Sequence, residues 1–188
     1  MHLFWSAASD TWDALIFRIF GYKVFRINRT QFRFDRQQFE SLDPIKLSEG
    51  IIRIDKALIE SHESLRKEVI GMWGDIENYL RHDVGWIALA PNGTILGRCH
   101  AAFVGGKSAE LSIEVNKSTR GQGVGYQLAR QFIQSCLDRD VTPYWSCDTQ
   151  NVPSYQLAEK LGFQRDRNYS LFTTVYTPMR HEPARQDQ

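Results

Sequence analysis

The run Arg120-Gly121-Gln122-Gly123-Val124-Gly125 places glycines at alternate positions directly ahead of a helical pattern, and that combination binds anions. Glycine admits backbone turns that aim successive N–H groups inward, and a following helix adds unpaired N–H donors and the positive end of its dipole. An anionic cofactor gripped by its phosphates is the ligand this chemistry fits.

Two other phosphate motifs come close and fail on spacing. A dinucleotide fingerprint needs Gly or Ala at position 126, where the chain has Tyr126, and nothing ahead of residue 109 resembles a βαβ opening. Ala101 to Ser108 fits a relaxed P-loop pattern with Ala in place of the first Gly. A P-loop must run into a helix after its Lys-Ser, whereas this one runs into an alternating strand, so Gly105-Gly106-Lys107 reads as a hairpin turn.

The elements that hold the loop are legible in the hydrophobic period. From Gly123 to Leu137 apolar residues recur as Val124, Leu128, Phe132 and Cys136, flanked by Ala129, Ile133 and Leu137, which predicts a helix packed on a sheet. Before the loop, Leu111, Ile113 and Val115 alternate with Glu110, Ser112 and Glu114, which predicts a strand over 109–116. The loop therefore lies at a strand's carboxyl end. Elsewhere the pattern predicts a helix over 10–20, a strand over 24–34, a strand over 51–54, helices over 56–72 and 75–79, and a hairpin of 85–90 with 95–104. A strand over 143–147, a helix over 154–161 ended by Gly162, and a last strand over 171–176 complete the series.

Arg120 to Gly125 satisfies the [Q/R]-x-x-G-x-[G/A] pattern, and a second block follows it: Pro143-Tyr144-Trp145-Ser146-Cys147-Asp148, then Asn151-Val152-Pro153-Ser154, then Leu157 to Phe163. Over residues 50–176 the chain resembles the GNAT superfamily of N-acetyltransferases. Within it, the wording of the second block is most similar to the branch that includes the zwittermicin resistance acetyltransferase. The resemblance implies an α/β (α+β) fold, a mixed, mostly antiparallel sheet flanked by helices with splayed central strands, and acetyl-CoA as co-substrate.

It also implies site residues. The backbone of Gln122, Gly123, Val124, Gly125 and Tyr126 would hold the pyrophosphate, with Arg120 and Gly121 opening the loop, and Asn151 and Ser154 would contact the pantetheine arm. By position, the Val115 N–H would polarise the thioester carbonyl. The amine must lose a proton before it attacks, and members of the superfamily often place a carboxylate base on the central strand, here Glu110 or Glu114. Both share a face if the strand is regular; a bulge between them would put them on opposite sides. The usual acid, a Tyr near the coenzyme sulfur, is replaced by Ala158, and Tyr155, one helical turn earlier, is the substitute. The acceptor would be a primary amine of a small molecule. Protein or peptide acetylation, and an acyl-CoA-binding module without turnover, are the alternatives.

The rest of the chain narrows the class. Its 188 residues, 42% hydrophobic and 12% aromatic, suit a folded domain, and a net charge of +1 gives no field that recruits nucleic acid or a membrane. Cys99, Cys136 and Cys147 are odd in number and lack CxxC spacing, and the five histidines lack ligand spacing, so neither a disulfide framework nor a metal site is expected. Cys147 has no His near it in sequence and reads as a buried strand residue. A reducing, cytoplasmic setting follows. Residues 1–49 are expected as an N-terminal extension that caps the acceptor site or mediates a homodimer, 50–176 as the acetyltransferase domain, and 177–188 as a polar tail, frayed from Arg180 on.

Overall fold

A computed structural model describes residues 2–6, 10–20, 24–82 and 85–175. The tail expected over 177–188 and the expected end of the last strand at Tyr176 lie outside them. In chain order the elements are β1 (His2–Ser6), α1 (Asp10–Phe20), β2 (Val24–Phe34), α2 (Arg36–Glu40), β3 (Ile51–Arg53), α3 (Lys56–Ser61), α4 (Glu63–Trp73) and α5 (Ile76–His82). There follow β4 (Gly85–Leu89), β5 (Ile95–Gly105), β6 (Ser108–Val115), a short 3-10 turn (Lys117–Thr119), α6 (Val124–Leu137), β7 (Thr142–Asp148), α7 (Val152–Lys160) and β8 (Phe163–Val175).

The chain divides into two compact units, Thr30–Asn168 and a smaller one of Met1–Arg29 with Tyr169–Gln188. In the smaller unit β1 pairs antiparallel with the end of β8, and Ile16, Val24 and Phe172 form its buried cluster. In the larger unit the strands lie in the order β8, β2, β7, β6, β5, β4, β3. Its β3–β4, β4–β5 and β5–β6 pairs are antiparallel and β6–β7 is parallel, the mixed, mostly antiparallel sheet that the resemblance implies. Residues 30–49 of the expected N-terminal extension belong to this larger unit.

Helices cover both faces of the sheet. On one, α6 buries Leu128, Ala129, Phe132, Ile133 and Cys136 in a core that includes Cys99, Ala101, Leu111 and Trp145. A Cβ added to Gly97 of β5 would stand 3.1 Å from Leu128 Cδ1, so the missing side chain is what lets the helix lie this close. On the other, Ile59, Leu65, Val69 and Tyr79 of α3, α4 and α5 pack with Ile54 and Ile87. The predicted helix over 56–72 is broken at His62, whose extended backbone (φ −119°, ψ 98°) ends α3 and starts α4.

Candidate functional site

The loop after β6 forms as its glycines dictate. Gly121 (φ +79°) and Gly123 (φ +81°) are left-handed, a region costly for other residues. A Cβ at either would meet nothing within 4 Å, so the backbone there borders open space. Gly123 is also the N-cap of α6 and supplies no side-chain cap. The first backbone bond of the helix runs from Gln127 N–H to Gly123 C=O at 3.1 Å. The amides of Val124, Gly125 and Tyr126 therefore lie ahead of the intrahelical ladder, where helix geometry offers them no carbonyl one turn back. Arg120 folds back to donate from Nε to the Val115 carbonyl at 3.3 Å.

The strand feeding this loop opens away from its neighbour. Backbone pairing between β6 and β7 covers Ser108–Thr142, Ala109–Pro143 and Glu110–Tyr144 and stops there, although β6 continues to Val115 and β7 to Asp148. Beyond Glu110 the two strands form a fork. Lys107 C=O accepts from Thr142 N–H at 2.7 Å, and Asn116 N–H donates to Leu96 C=O at 2.8 Å. Because N–H and C=O alternate sides along a strand, odd-numbered residues of β6 address β7 and even-numbered ones address β5. The N–H groups of Leu111, Ile113 and Val115 thus face the opened side.

The register break lies in β5, between Ala101 and Phe103, and β6 pairs without interruption from Glu110 to Val115. Glu110, Ser112 and Glu114 consequently share one face, and the bulge considered between the two glutamates is absent from β6. Their surroundings differ. Glu110 is half-buried at the fork's apex and accepts the Ser146 hydroxyl at 2.6 Å. Glu114 is exposed and takes Arg98 Nη2 at 2.6 Å.

A charged network from α4 backs that face. Arg98 Nε pairs with Glu68, whose other oxygen lies 3.0 Å from Nε2 of the buried His100. His100 Nδ1 and the Trp73 indole N–H each lie 3.2 Å from the Ala101 carbonyl, beside the β5 bulge. Burial works to raise the Glu68 carboxyl, but His100 and Arg98 together hold it below the usual carboxylate range. Burial also pushes the Cys99 thiol well up and Cys136 up to about 12, so neither is a thiolate near neutrality.

At the start of α7, Asn151 is the N-cap and Ser154 is the residue it caps. Asn151 Oδ1 accepts the Ser154 N–H at 3.2 Å, and the Ser154 hydroxyl accepts from Trp145 Nε1 at 3.0 Å. Tyr155 is turned elsewhere. Its hydroxyl bonds Thr30 of β2, its ring meets Phe32 edge-on at 5.2 Å, and Arg165 lies over it at 4.4 Å. Leu157 is the α7 side chain beside Gly125 of α6, and two helical positions separate it from Tyr155 by about 200°. The structure thus brings the loop, Val115 and Glu110 to one strand but sends Tyr155 toward β2, on the far side of β7 from β6. Glu68, Arg98 and His100 sit in no local motif, and Ser146 lies in the second block without any sign of its partner; strand register and the packing of α4 join them to the glutamates.

A model of the GNAT acetyltransferase family matches residues 3–172. The chain belongs to the GNAT acetyltransferase family. It is similar to the uncharacterized N-acetyltransferase YdfB of Bacillus subtilis (strain 168), 27% identical over 169 residues, which cover 88% of this chain and 64% of that one. The chain therefore spans just under two thirds of the length of that curated relative. Among solved structures, a GCN5-related N-acetyltransferase-like protein from Streptococcus suis superposes with a TM-score of 0.70 at 24% identity, covering 92% of this chain and 71% of that one. A tandem GNAT protein from the clavulanic acid biosynthesis pathway, solved without AcCoA, gives a TM-score of 0.57 at 15% identity over 92% of this chain and 62% of its own. At these identities the two structures speak for the GNAT fold. Among the described residues no helix is long and apolar enough to cross a membrane, and no group of three or more His, Cys, Asp or Glu is arranged to hold a metal ion.

Proposed function

We propose that this chain moves an acetyl group from acetyl-CoA directly to a primary amine of a small molecule. The observation that carries the proposal is a juxtaposition on one strand: β6 ends in a helix start with outward amides and, just before it, presents N–H groups to an open fork. A diphosphate at the loop is supported by its left-handed glycines, which leave open space where side chains would stand. Acetyl-CoA, when bound, supplies the activated acyl group.

The protein's residues do the rest. Amides from Gln122 to Tyr126 hold the diphosphate, Arg120 braces the loop against Val115, and Asn151 with Ser154 borders the pantetheine path. The Val115 N–H polarises the thioester carbonyl, a contribution of about 2.7 to 4 kcal/mol for an oriented donor. Glu110, at the apex, takes the proton from the amine; Glu114, bound to Arg98, is the lesser candidate. No side chain is assigned to protonate the thiolate, which leaves readily enough without one. The zwittermicin-resistance branch, a cytoplasmic setting, an accessory or self-associating role for residues 1–49 and a polar tail over 177–188 complete the proposal.

Calorimetry with coenzyme A and acetyl-CoA, followed by a mass-spectrometric panel of small amines and lysine peptides, tests it. Binding with thiol release that depends on a small amine is the expected result. Binding without amine-dependent release would make the chain an acyl-CoA-binding module, turnover of peptides alone would make it a protein acetyltransferase, and no binding would remove the proposal altogether.

A further inference from the structure

The last backbone rung between β6 and β7 joins Glu110 to Tyr144. Ser146 lies two residues further along β7, hence on the same face as Tyr144, and adds a side-chain rung where the backbone rungs have ended. Its hydroxyl donates to Glu110 Oε1 at 2.6 Å, and at 8% exposure it is shielded from competing water. The ionisable groups on that face include Glu114 of β6, Arg98 and His100 of β5, Glu68 of α4, Tyr79 of α5 against the His100 ring, and Tyr144 and Asp148 of β7. Arg98 is engaged with Glu68 and Glu114, and His100 with Glu68. Ser146 reaches Glu110 from across the fork.

We propose that Ser146 is a positioning residue for proton abstraction, fixing the Glu110 carboxylate at the fork's apex. The inference rests on the proposed acetyl transfer with Glu110 as base. In that step an N–H bond of the acceptor breaks and an O–H bond forms on Glu110; Ser146 keeps its own proton throughout. The hydroxyl restricts the carboxylate's rotation, which matters because proton transfer needs heavy atoms within about 2.6 to 3.2 Å.

The test uses the full chain with acetyl-CoA and whichever amine of the panel turns over fastest. Ser146→Ala is expected to lower kcat by about tenfold or more, with the KM for the amine and coenzyme A affinity within about twofold of the parent. Ser146→Thr, which keeps the hydroxyl, restores kcat. Ser146→Cys, close in volume and a weak donor, gives an intermediate kcat and serves if the alanine variant melts early. Equal kcat values for the parent and Ser146→Ala overturn the inference, as does a threonine variant that behaves like alanine. Glu110→Gln separates the two levels: turnover retained in that variant removes Glu110 as base, whereas turnover lost with coenzyme binding intact leaves Ser146 to stand or fall on its own kcat.

Discussion

A Cβ added to Gly125, in the first turn of α6, would stand 3.2 Å from Val115 Cγ2 at the end of β6. The start of α6 and the strand end that faces the fork are thus in contact, and the hydrogen atom at Gly125 is what permits it. Gly121 and Gly123 serve differently, by adopting left-handed backbone beside open space. Three glycines in one short run therefore answer two separate physical demands.

Substitution distinguishes those demands. Gly123→Ala meets no neighbour and bears only the cost of a left-handed backbone, about 1 to 2 kcal/mol. Gly125→Ala must push Val115 and the helix apart, a repacking cost of about 1 to 3 kcal/mol, and it shifts the amides relative to the fork. Urea denaturation should show both losses. Acetyl-CoA turnover should fall further for Gly125→Ala at saturating donor than for Gly123→Ala, whose defect should appear in donor affinity.

The Glu68 network predicts an acid-labile contribution to stability. The folded carboxyl is held below its unfolded value, so its stabilisation is complete above about pH 4.3 and is lost as pH falls through and below that value. Glu68→Ala leaves His100 and Arg98 short of a partner inside the fold and should cost about 1 to 3 kcal/mol at neutral pH. The gap between variant and parent should narrow between pH 5 and 3. Thermal melts across that range check it, and a constant gap would mean that the charge on Glu68 contributes nothing.

Cys99 and Cys136 should resist alkylation in the folded protein, because both are fully buried and both thiols are held protonated by that burial. Iodoacetamide labelling at pH 8, read by peptide mass spectrometry, should modify them only after denaturant is added. Rapid labelling of either under native conditions would show that α6 opens locally from β5.

What could be read from the chain and what could not divide along physical lines. The β6 strand, the loop and α6 were legible because period-two and period-3.6 patterns meet at a glycine run, and each of those signals is local. The break at His62 was not, since no Gly or Pro marks it. β1 and α2 escaped notice because one is five residues long and its partner is the far end of β8, and the other is a five-residue turn of helix held by the Asp35 cap. Within the candidate site, the loop is a local glycine pattern and Val115 an expectation from the resemblance, whereas Ser146 meets Glu110 across 36 residues and His100 meets Glu68 across 32. Only the parallel register of β6 with β7, and the packing of α4 on β5, create those pairs.

Tyr155 gives the sharpest contrast between sequence spacing and spatial place. Counted along α7, it stands one turn before the position where a tyrosine would be expected near the coenzyme sulfur, yet its hydroxyl is bonded to Thr30, which in turn donates to Asn168 at 2.7 Å. Tyr155→Phe removes one buried hydrogen bond and keeps the ring's contacts with Phe32 and Arg165, so it should destabilise by about 0.5 to 1.5 kcal/mol. Turnover of acetyl-CoA with amine should stay within about twofold of the parent, and the basic limb of its pH profile should not move. A fall of about a hundredfold in kcat at unchanged stability, with loss of that limb, would instead make Tyr155 the acid for the departing thiolate and require α7 to turn its hydroxyl toward the fork when coenzyme binds.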